Sequence, residues 1–297
     1  MFYTFKDNIR RLKFDFQCRK ALTLPHIHTY DDSNVIALSL LQHKDFIMYL
    51  LALKSFTSKV RIKGVVIVDD GSLTKNDISI LNNFIPKVCI LKKEEFASTK
   101  TPVGGCWERL LAITYFCKNN YVVQLDGDTL TLGSIDEITK CVSGDVGFVL
   151  GTRDNQDFET MANRVKLAEA YSNYTHVQNL TEINLLKLSS SHGLFYVRGC
   201  AGFSGFPINS FTREYVEEMC GEFYSFLGDK WNEWGSEQIM SNVIVANMEK
   251  RMVLPHPKYC SVDKAINDSV FLHFIGTHRF KDGVYANLAK KQISEYQ

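Results

Sequence analysis

The sequence predicts an α/β fold in which a mostly parallel sheet is flanked by helices. Short β-rich runs alternate with helical segments from residue 35 to residue 150, which is typical of parallel strands joined by helices. The β-rich runs are mostly apolar, as expected for strands that are buried on both faces. No repeat or low-complexity linker interrupts the chain, so we expect a single domain.

The elements of this first part follow one another closely along the chain. We predict a helix that ends near residue 56 and two more at 74–84 and 105–117. We predict strands at 35–41, 64–68, 88–91, 121–125 and 146–150. After residue 150 the alternation stops, and the second part is expected to be more irregular, with helices at 157–187 and 211–227.

Composition excludes some classes of protein. The formal net charge is +1, so no strong field indicates a nucleic-acid partner. The eight cysteines are scattered without a C-x-x-C pair, which favours reduced thiols over disulfides or structural zinc. No signal-peptide pattern and no run of about 20 apolar residues is present. We therefore expect a cytoplasmic protein.

The N-terminal segment has the pattern of a basic amphipathic helix. Its apolar positions are Phe2, Phe5, Ile9, Leu12 and Phe16, and its basic positions are Lys6, Arg10, Arg11 and Lys13. Such a helix can lie on an anionic membrane surface, or it can pack on its own domain with solvated charges. We favour packing and keep peripheral membrane contact through residues 1–20 as the alternative.

Two carboxylates follow the predicted fourth strand, one residue apart. The run Tyr121–Leu125 leads into Asp126, Gly127 and Asp128. Ligands bind at the carboxyl edge of open α/β sheets, and hard oxygen ligands suit Mg²⁺ or Mn²⁺. The alternative is a turn in which the two aspartates only cap local backbone. The position at the end of this strand favours a metal site.

A second acidic turn follows the predicted second strand. It reads Asp69, Asp70, Gly71 and Ser72. A carboxylate there can accept a base N–H or ribose hydroxyls, or it can belong to an Asp-Gly turn that caps the next helix. The two interpretations are equally compatible with this turn alone.

Together the two motifs resemble nucleotide-sugar glycosyltransferases with the GT-A, Rossmann-like fold, most closely over residues 35–150. The resemblance implies that Asp69 or Asp70 contacts the nucleoside of the donor. It also implies that Asp126 and Asp128 bind Mn²⁺ or Mg²⁺ at the diphosphate. Arg109 lies where such enzymes often keep a basic residue near the donor, although a surface charge is equally compatible.

The C-terminal part resembles the retaining family of glycogenin and the lipopolysaccharide galactosyltransferases. The H-x-x-G element maps to His273, as third metal ligand, and to Gly276, whose loop closes over the diphosphate. The family places a phosphate-binding lysine after this glycine. Here that stretch departs from the pattern, and the role passes to His278, Arg279 or Lys281.

A third element resembles the family's D-Q-x-x-x-N pattern beside the transferred sugar. It corresponds to Glu237, Gln238 and Asn242, with Glu in place of Asp. Glu237 is then either a sugar-binding carboxylate or a catalytic base. The nearby Trp231 and Trp234 either stack on a sugar or simply begin a half-buried helix.

The resemblance implies metal-dependent transfer from a nucleotide-diphosphate sugar to a glycan, lipid-linked or protein acceptor. Retention is favoured because H-x-x-G and E-Q-x-x-x-N occur together. An inverting enzyme with Glu237 as base and a non-catalytic nucleotide-sugar-binding protein remain open. By function, residues 1–34 are an extension, 35–150 bind the donor, and 151–297 bind the acceptor and carry the metal and phosphate loop.

Two other enzyme classes fit the sequence less well. Phosphatases of the haloacid-dehalogenase type also use a strand followed by D-x-D, but they need Thr or Val four residues after the first Asp. This chain has Leu130 there, and its motif lies mid-chain. Nucleotidyltransferases need a Gly- and Lys-rich loop near the N-terminus, and this sequence has none.

Overall fold

Strands and helices alternate along the first part of the chain, as the sequence predicts. The structure, a computed structural model, describes residues 2–171 and 173–297, with side chains from residue 8 onward within those ranges. The helices are Phe2–Cys18 (α1), Phe46–Thr57 (α2), Lys75–Phe84 (α3), Trp107–Phe116 (α4), Asp136–Gly144 (α5), Met161–Ala168 (α6), Val177–Asn184 (α7), Arg213–Leu227 (α8), Ser236–Ala246 (α9) and Val284–Tyr296 (α10). The strands are Val35–Leu41 (β1), Gly64–Asp69 (β2), Val88–Lys92 (β3), Tyr121–Leu125 (β4), Thr129–Thr131 (β5), Gly147–Leu150 (β6), Glu159–Thr160 (β7), Phe195–Tyr196 (β8), Cys200–Phe206 (β9), Arg251–Val253 (β10), Tyr259–Ser261 (β11) and Phe271–His273 (β12).

The predicted elements of the first part are confirmed, and the boundaries agree within about two residues. Residues 157–187 are helical only in part, since α6 ends at Ala168 and α7 begins at Val177. The α/β fold class is confirmed. Within residues 35–150 the sequence predicted β-strands from apolar runs. In two of these strands, β4 and β6, every residue is buried.

The chain divides into two compact units that are interleaved in sequence. The first unit comprises Met1–Leu91, Leu125–Thr139 and Pro257–Gln297, and the second comprises Lys92–Gln124 and Lys140–His256. The boundaries of these units differ from the functional boundaries predicted after residues 34 and 150. The division of the chain by function therefore stays a prediction.

In the first unit, β1 and β2 pair in parallel and β3 follows β2. The pairing runs from Ile36 opposite Gly64 to Leu41 opposite Asp69, so both strands end at the same edge. A small sheet has the order β11-β12-β5. Its β12 is antiparallel to β5 and pairs His273 with Thr129.

In the second unit the strand order is β10-β6-β9-β4. β10 is parallel to β6, whereas β6 and β9 are antiparallel. Glycine is required at 205 because a Cβ there would lie 2.2 Å from the Phe148 ring. The buried Phe148 and Phe203 rings fill the core beside it, with centroids 5.1 Å apart.

The predicted N-terminal helix is present as α1, but it packs through a different side from the one its apolar pattern suggests. Phe14 and Cys18 are buried, and the Phe14 ring lies 4.5 Å from that of Tyr285 on α10. Ile9, Leu12 and Phe16 are exposed. The side chains of Phe2, Phe5 and Lys6 lie outside the described residues. Among the residues described, no helix has the length and apolar character needed to span a membrane.

Candidate active site

Three potential metal ligands converge in the first unit. One ligand atom from each of Asp126, Asp128 and His273 lies within 4.8 Å of the other two. The Nε2 atom of His273 is 3.0 Å from Oδ1 of Asp128 and 3.8 Å from Oδ2 of Asp126. The sequence-predicted ligands are therefore neighbours in the structure, although His273 and Asp128 are 145 residues apart in the chain.

Backbone pairing brings these groups together. Asp126-Gly127-Asp128 forms the tight turn between β4 and β5, which the Thr129 hydroxyl closes by donating to the Asp126 carbonyl at 2.9 Å. The pairing of β12 with β5 continues beyond His273, since the Phe274 amide donates to the Asp128 carbonyl at 2.8 Å. The imidazole is thus held beside the aspartate turn by strand register.

Arg279 contacts the same aspartate. Its Nη2 atom donates to Oδ2 of Asp128 at 2.5 Å, and its Nε donates to the Phe274 carbonyl at 3.2 Å. Burial raises the pKa of Asp128, but the charge and hydrogen bonds of His273 and Arg279 outweigh it and lower the pKa overall. Asp128 is therefore an ionised carboxylate at neutral pH.

The donor set fits a divalent cation. Adjacent ligands of an octahedral ion lie roughly 3 Å apart when each is about 2.1 Å from the ion, and the His273–Asp128 distance agrees. Asp126 keeps 29% of its side chain exposed, so an ion can reach this carboxylate from solvent. Two carboxylates with one imidazole suit Mn²⁺ better than Mg²⁺, which prefers oxygen ligands alone.

The loop after β12 carries the predicted phosphate-binding residues. Gly276 has φ +51°, which favours glycine, and a Cβ there would meet open space. Arg279 is the member of the predicted set that contacts the aspartate turn. His278 is half-buried and Lys281 is exposed.

The acidic turn after β2 is closed by its own carboxylates. Asp69 accepts the Gly71 amide at 2.8 Å, and Asp70 accepts the Ser72 amide at 3.0 Å. Neither caps α3, whose N-cap is Thr74 in a capping box with Asp77. The nucleoside contacts of Asp69 and Asp70 stay predictions.

Sequence reasoning missed the residues that follow β1. The Asp45 carboxylate lies 3.9 Å from Nη1 of Arg279 and accepts from Arg11 at 2.5 Å. The His43 amide donates to the Ser72 hydroxyl at 2.9 Å, which joins the ends of β1 and β2. The sequence signal for His43 and Asp45 was their position just after the apolar strand β1, because the aspartates after β2 and β4 are placed in the same way.

In the second unit, Arg109 and Glu237 form a buried ion pair. Nη2 of Arg109 is 3.3 and 3.4 Å from the two carboxylate oxygens of Glu237, and each side chain is 4% exposed. The interpretation of Arg109 as a surface charge is therefore wrong. Trp107 on α4 donates from its indole to Ser236 on α9 at 2.9 Å and aligns the first turns of the two helices.

Gln238 and Asn242 both contact the strand region near β9. The Ala201 amide donates to Oε1 of Gln238 at 3.3 Å, and Nδ2 of Asn242 donates to the Gly199 carbonyl at 3.1 Å. The Trp231 ring is buried and stacks on Phe223 at 4.4 Å, so the idea that it stacks on a sugar is wrong. Trp234 is exposed.

A second buried carboxylate in this unit, Glu182, was not singled out from the sequence. It is fully buried, accepts from Arg198 at 2.6 Å and lies 3.4 Å from Nε of Arg164. The Tyr171 and Tyr196 hydroxyls donate to it at 2.7 and 3.1 Å. The motif search overlooked it because it lies mid-helix in α7, without a strand end or glycine beside it.

Solved glycosyltransferases have a similar fold. The galactosyltransferase LgtC, in complex with donor and acceptor sugar analogs, matches with a TM-score of 0.57 at 12% identity, covering 88% of this chain and 96% of LgtC. The bifunctional glycosyltransferase WbbM matches with a TM-score of 0.51 at 13% identity over 92% of this chain, which spans about half of WbbM (53%). The sequence matches no family model and no curated protein. The similarity confirms the predicted GT-A fold.

Proposed function

We propose that this protein is a metal-dependent glycosyltransferase that moves a sugar from a nucleoside diphosphate to an acceptor. The single observation that supports it most is the convergence of Asp126, Asp128 and His273 in a protein with the GT-A fold. LgtC, which has this fold, is a galactosyltransferase. The acceptor classes that remain compatible are a glycan, a lipid-linked sugar and a protein.

Asp126, Asp128 and His273 would hold Mn²⁺ or Mg²⁺. The ion would neutralise the charge that develops on the departing nucleoside diphosphate. Asp128 is ionised and hydrogen-bonded on both oxygens, so it reaches the metal already oriented. Asp126 is the more exposed ligand and would close the site as the donor binds.

Donor binding would use the ends of β1 and β2 and the loop after β12. Asp69 or Asp70 would accept a base N–H or ribose hydroxyls. Arg279, with His278 and Lys281 in the same loop, would contact the diphosphate oxygens. Gly276 would let this loop adopt the closed conformation.

Arg279 would change partner during the cycle. Without donor its guanidinium neutralises Asp128, the role that a cation takes when it binds. Displaced from Asp128, the same group can form a bidentate contact with the diphosphate. Arg279→Gln should weaken nucleoside-diphosphate binding while leaving Mn²⁺ binding equal or tighter, both measured by calorimetry. Weaker Mn²⁺ binding in this variant would contradict the exchange.

Glu237 would act as a fixed negative charge near the transferred sugar, with Gln238 beside it. If Glu237 took up a proton, its buried ion pair with Arg109 would be lost, which is unfavourable. This argument supports retention over an inverting mechanism with Glu237 as base. Arg109 would then position Glu237, and its direct contact with the donor stays a prediction.

A panel of nucleotide sugars tests the proposal. Thermal shift and donor hydrolysis, each with Mn²⁺ or with EDTA, should identify one donor that stabilises the protein and is hydrolysed only with metal. His273→Gln should raise the Mn²⁺ concentration needed by at least about tenfold. The matched control is His256→Gln, because His256 also pairs with an aspartate, Asp154, outside the cluster.

Stabilisation by a donor without any hydrolysis or transfer would favour the non-catalytic nucleotide-sugar-binding protein. Equal hydrolysis in EDTA would contradict the metal assignment. Once an acceptor is found, the anomeric configuration of the product, read by NMR, separates retention from inversion.

A further inference from the structure

One side of α1 presents an apolar stripe to solvent. Ile9, Leu12 and Phe16 are 51%, 68% and 68% exposed. At about 100° per residue these three positions fall within one narrow sector of the helix. Exposed Leu22 follows just beyond α1.

The rest of the helix explains why the stripe cannot turn inward. Phe14 and Cys18 are buried, and Phe14 packs between the rings of Phe280 and Tyr285. Arg11 donates to the Lys44 carbonyl and to the Asp45 carboxylate. With this side anchored, the stripe stays exposed. Large apolar side chains grouped in this way commonly mark a surface that binds something.

Cations lie beside the stripe and just beyond the end of α1. Lys13, Arg19 and Lys20 are exposed, and the Arg19 guanidinium lies 4.8 Å from the centroid of the Phe16 ring. Arg10 and Lys13 also line a cleft of about 390 Å³ between α1 and the start of α10. An apolar stripe with cations beside it complements an anionic lipid surface, in which acyl chains lie below phosphate groups.

We propose that α1 docks on an anionic membrane surface with its axis parallel to the bilayer. Ile9, Leu12 and Phe16 enter the boundary between headgroups and acyl chains, and Lys13, Arg19 and Lys20 contact lipid phosphates. A second copy of the chain fits this face poorly, because symmetric pairing of α1 would bring like charges together. The inference does not depend on the proposed catalytic function.

Co-sedimentation of the full chain with vesicles tests the proposal. One vesicle is phosphatidylcholine alone, and the other is an equal mixture of phosphatidylcholine and phosphatidylglycerol. The protein should bind the mixed vesicles at least about tenfold more tightly, and added salt should weaken this binding. The double variant Leu12→Glu/Phe16→Glu should lose at least about tenfold in affinity.

The matched control is Leu167→Glu/Ile266→Glu, which places two acids at exposed apolar positions elsewhere. It should bind like the wild type. Circular dichroism and the melting temperature check that both double variants fold. A folded Leu12→Glu/Phe16→Glu variant with wild-type affinity, or a wild type that sediments with neither vesicle, would overturn the proposal.

A charge variant and a size measurement complete the test. Arg19→Gln/Lys20→Gln should reduce the preference for mixed vesicles roughly tenfold, and an unchanged preference would count against the lipid as partner. Light scattering without lipid should give the same mass for the wild type and for Leu12→Glu/Phe16→Glu. A wild-type dimer that this variant dissociates would identify the face as an interface between copies and overturn the proposal.

Discussion

Two clusters of charged side chains, one in each unit, differ in how far their carboxylates are exposed to solvent. In the first unit, Asp126 and Asp128 share one imidazole and one guanidinium, and Asp126 remains partly open to solvent. In the second, Glu182 is fully buried between two guanidinium groups and two tyrosine hydroxyls.

The difference separates a site that can bind from a cluster that holds structure. A carboxylate that keeps part of its side chain exposed, as Asp126 does, can bind a cation with little further loss of hydration. Glu182 is fully buried among arginine and tyrosine side chains, so a ligand could reach it only if those side chains moved. The Arg109–Glu237 pair resembles the second kind in its burial, which is why we assign Arg109 a positioning role.

The largest effect on activity is expected at the cluster of Asp126, Asp128 and His273. Asp128→Asn keeps the shape of the side chain but removes a charged ligand. Transfer should fall by roughly a thousandfold, about 4 kcal/mol in activation free energy, and Mn²⁺ binding should weaken in parallel. The control is Asp268→Asn at an exposed position of the same unit. Full activity in Asp128→Asn would remove the basis for the metal site.

Substitution of Glu182 in the second unit should lower the stability of the protein. Glu182→Gln removes the carboxylate shared by the partly exposed Arg198 and the buried Arg164, which keeps its ion pair with Glu159, so the free energy of unfolding should fall by about 3 kcal/mol. Chemical denaturation measures this, with exposed Glu218→Gln as the control. Mn²⁺ affinity should not change. A variant as stable as the wild type would mean that water or relaxed packing replaces the lost charge.

A double-mutant cycle measures how strongly Arg109 and Glu237 stabilise each other. Glu237→Gln and Arg109→Met should each destabilise by about 2 kcal/mol, because each removes one member of a buried ion pair. The double variant should recover part of this, with a coupling of about 1–2 kcal/mol. Additive losses would show that the two charges do not stabilise one another.

The smallest effect concerns Asp15 on α1. Burial raises its pKa to about 6, although Arg11 opposes the shift. Between the unfolded pKa and about 6 the folded state binds more protons, so stability should fall as pH rises through this window. Asp15→Asn should remove this dependence and gain about 1 kcal/mol or less at pH 7, since the group is partly solvated. A stability–pH curve that keeps its slope in the variant would assign the dependence to another group.

Much of the fold and part of the site could be predicted from the sequence. Apolar runs that lead into Asp69 or Asp126 identify strand ends, because an apolar run and the turn residues after it are both local features of the sequence. Arg109 shows where such reasoning stops. A charged residue near the start of a helix can face solvent or a buried partner, and the pattern around it is the same in both cases.

The sequence by itself determined the alternating elements, the two acidic turns and the amphipathic character of α1, since each depends on residues close together in the chain. The tertiary structure decided which distant groups meet. His273 reaches Asp128 through the register of β12 with β5, and Arg279 follows from the loop that this strand begins. It also decided that Phe14 is buried while Leu12 and Phe16 are exposed. Periodicity separates the sides of a helix, but only packing against a neighbour selects the side that is covered.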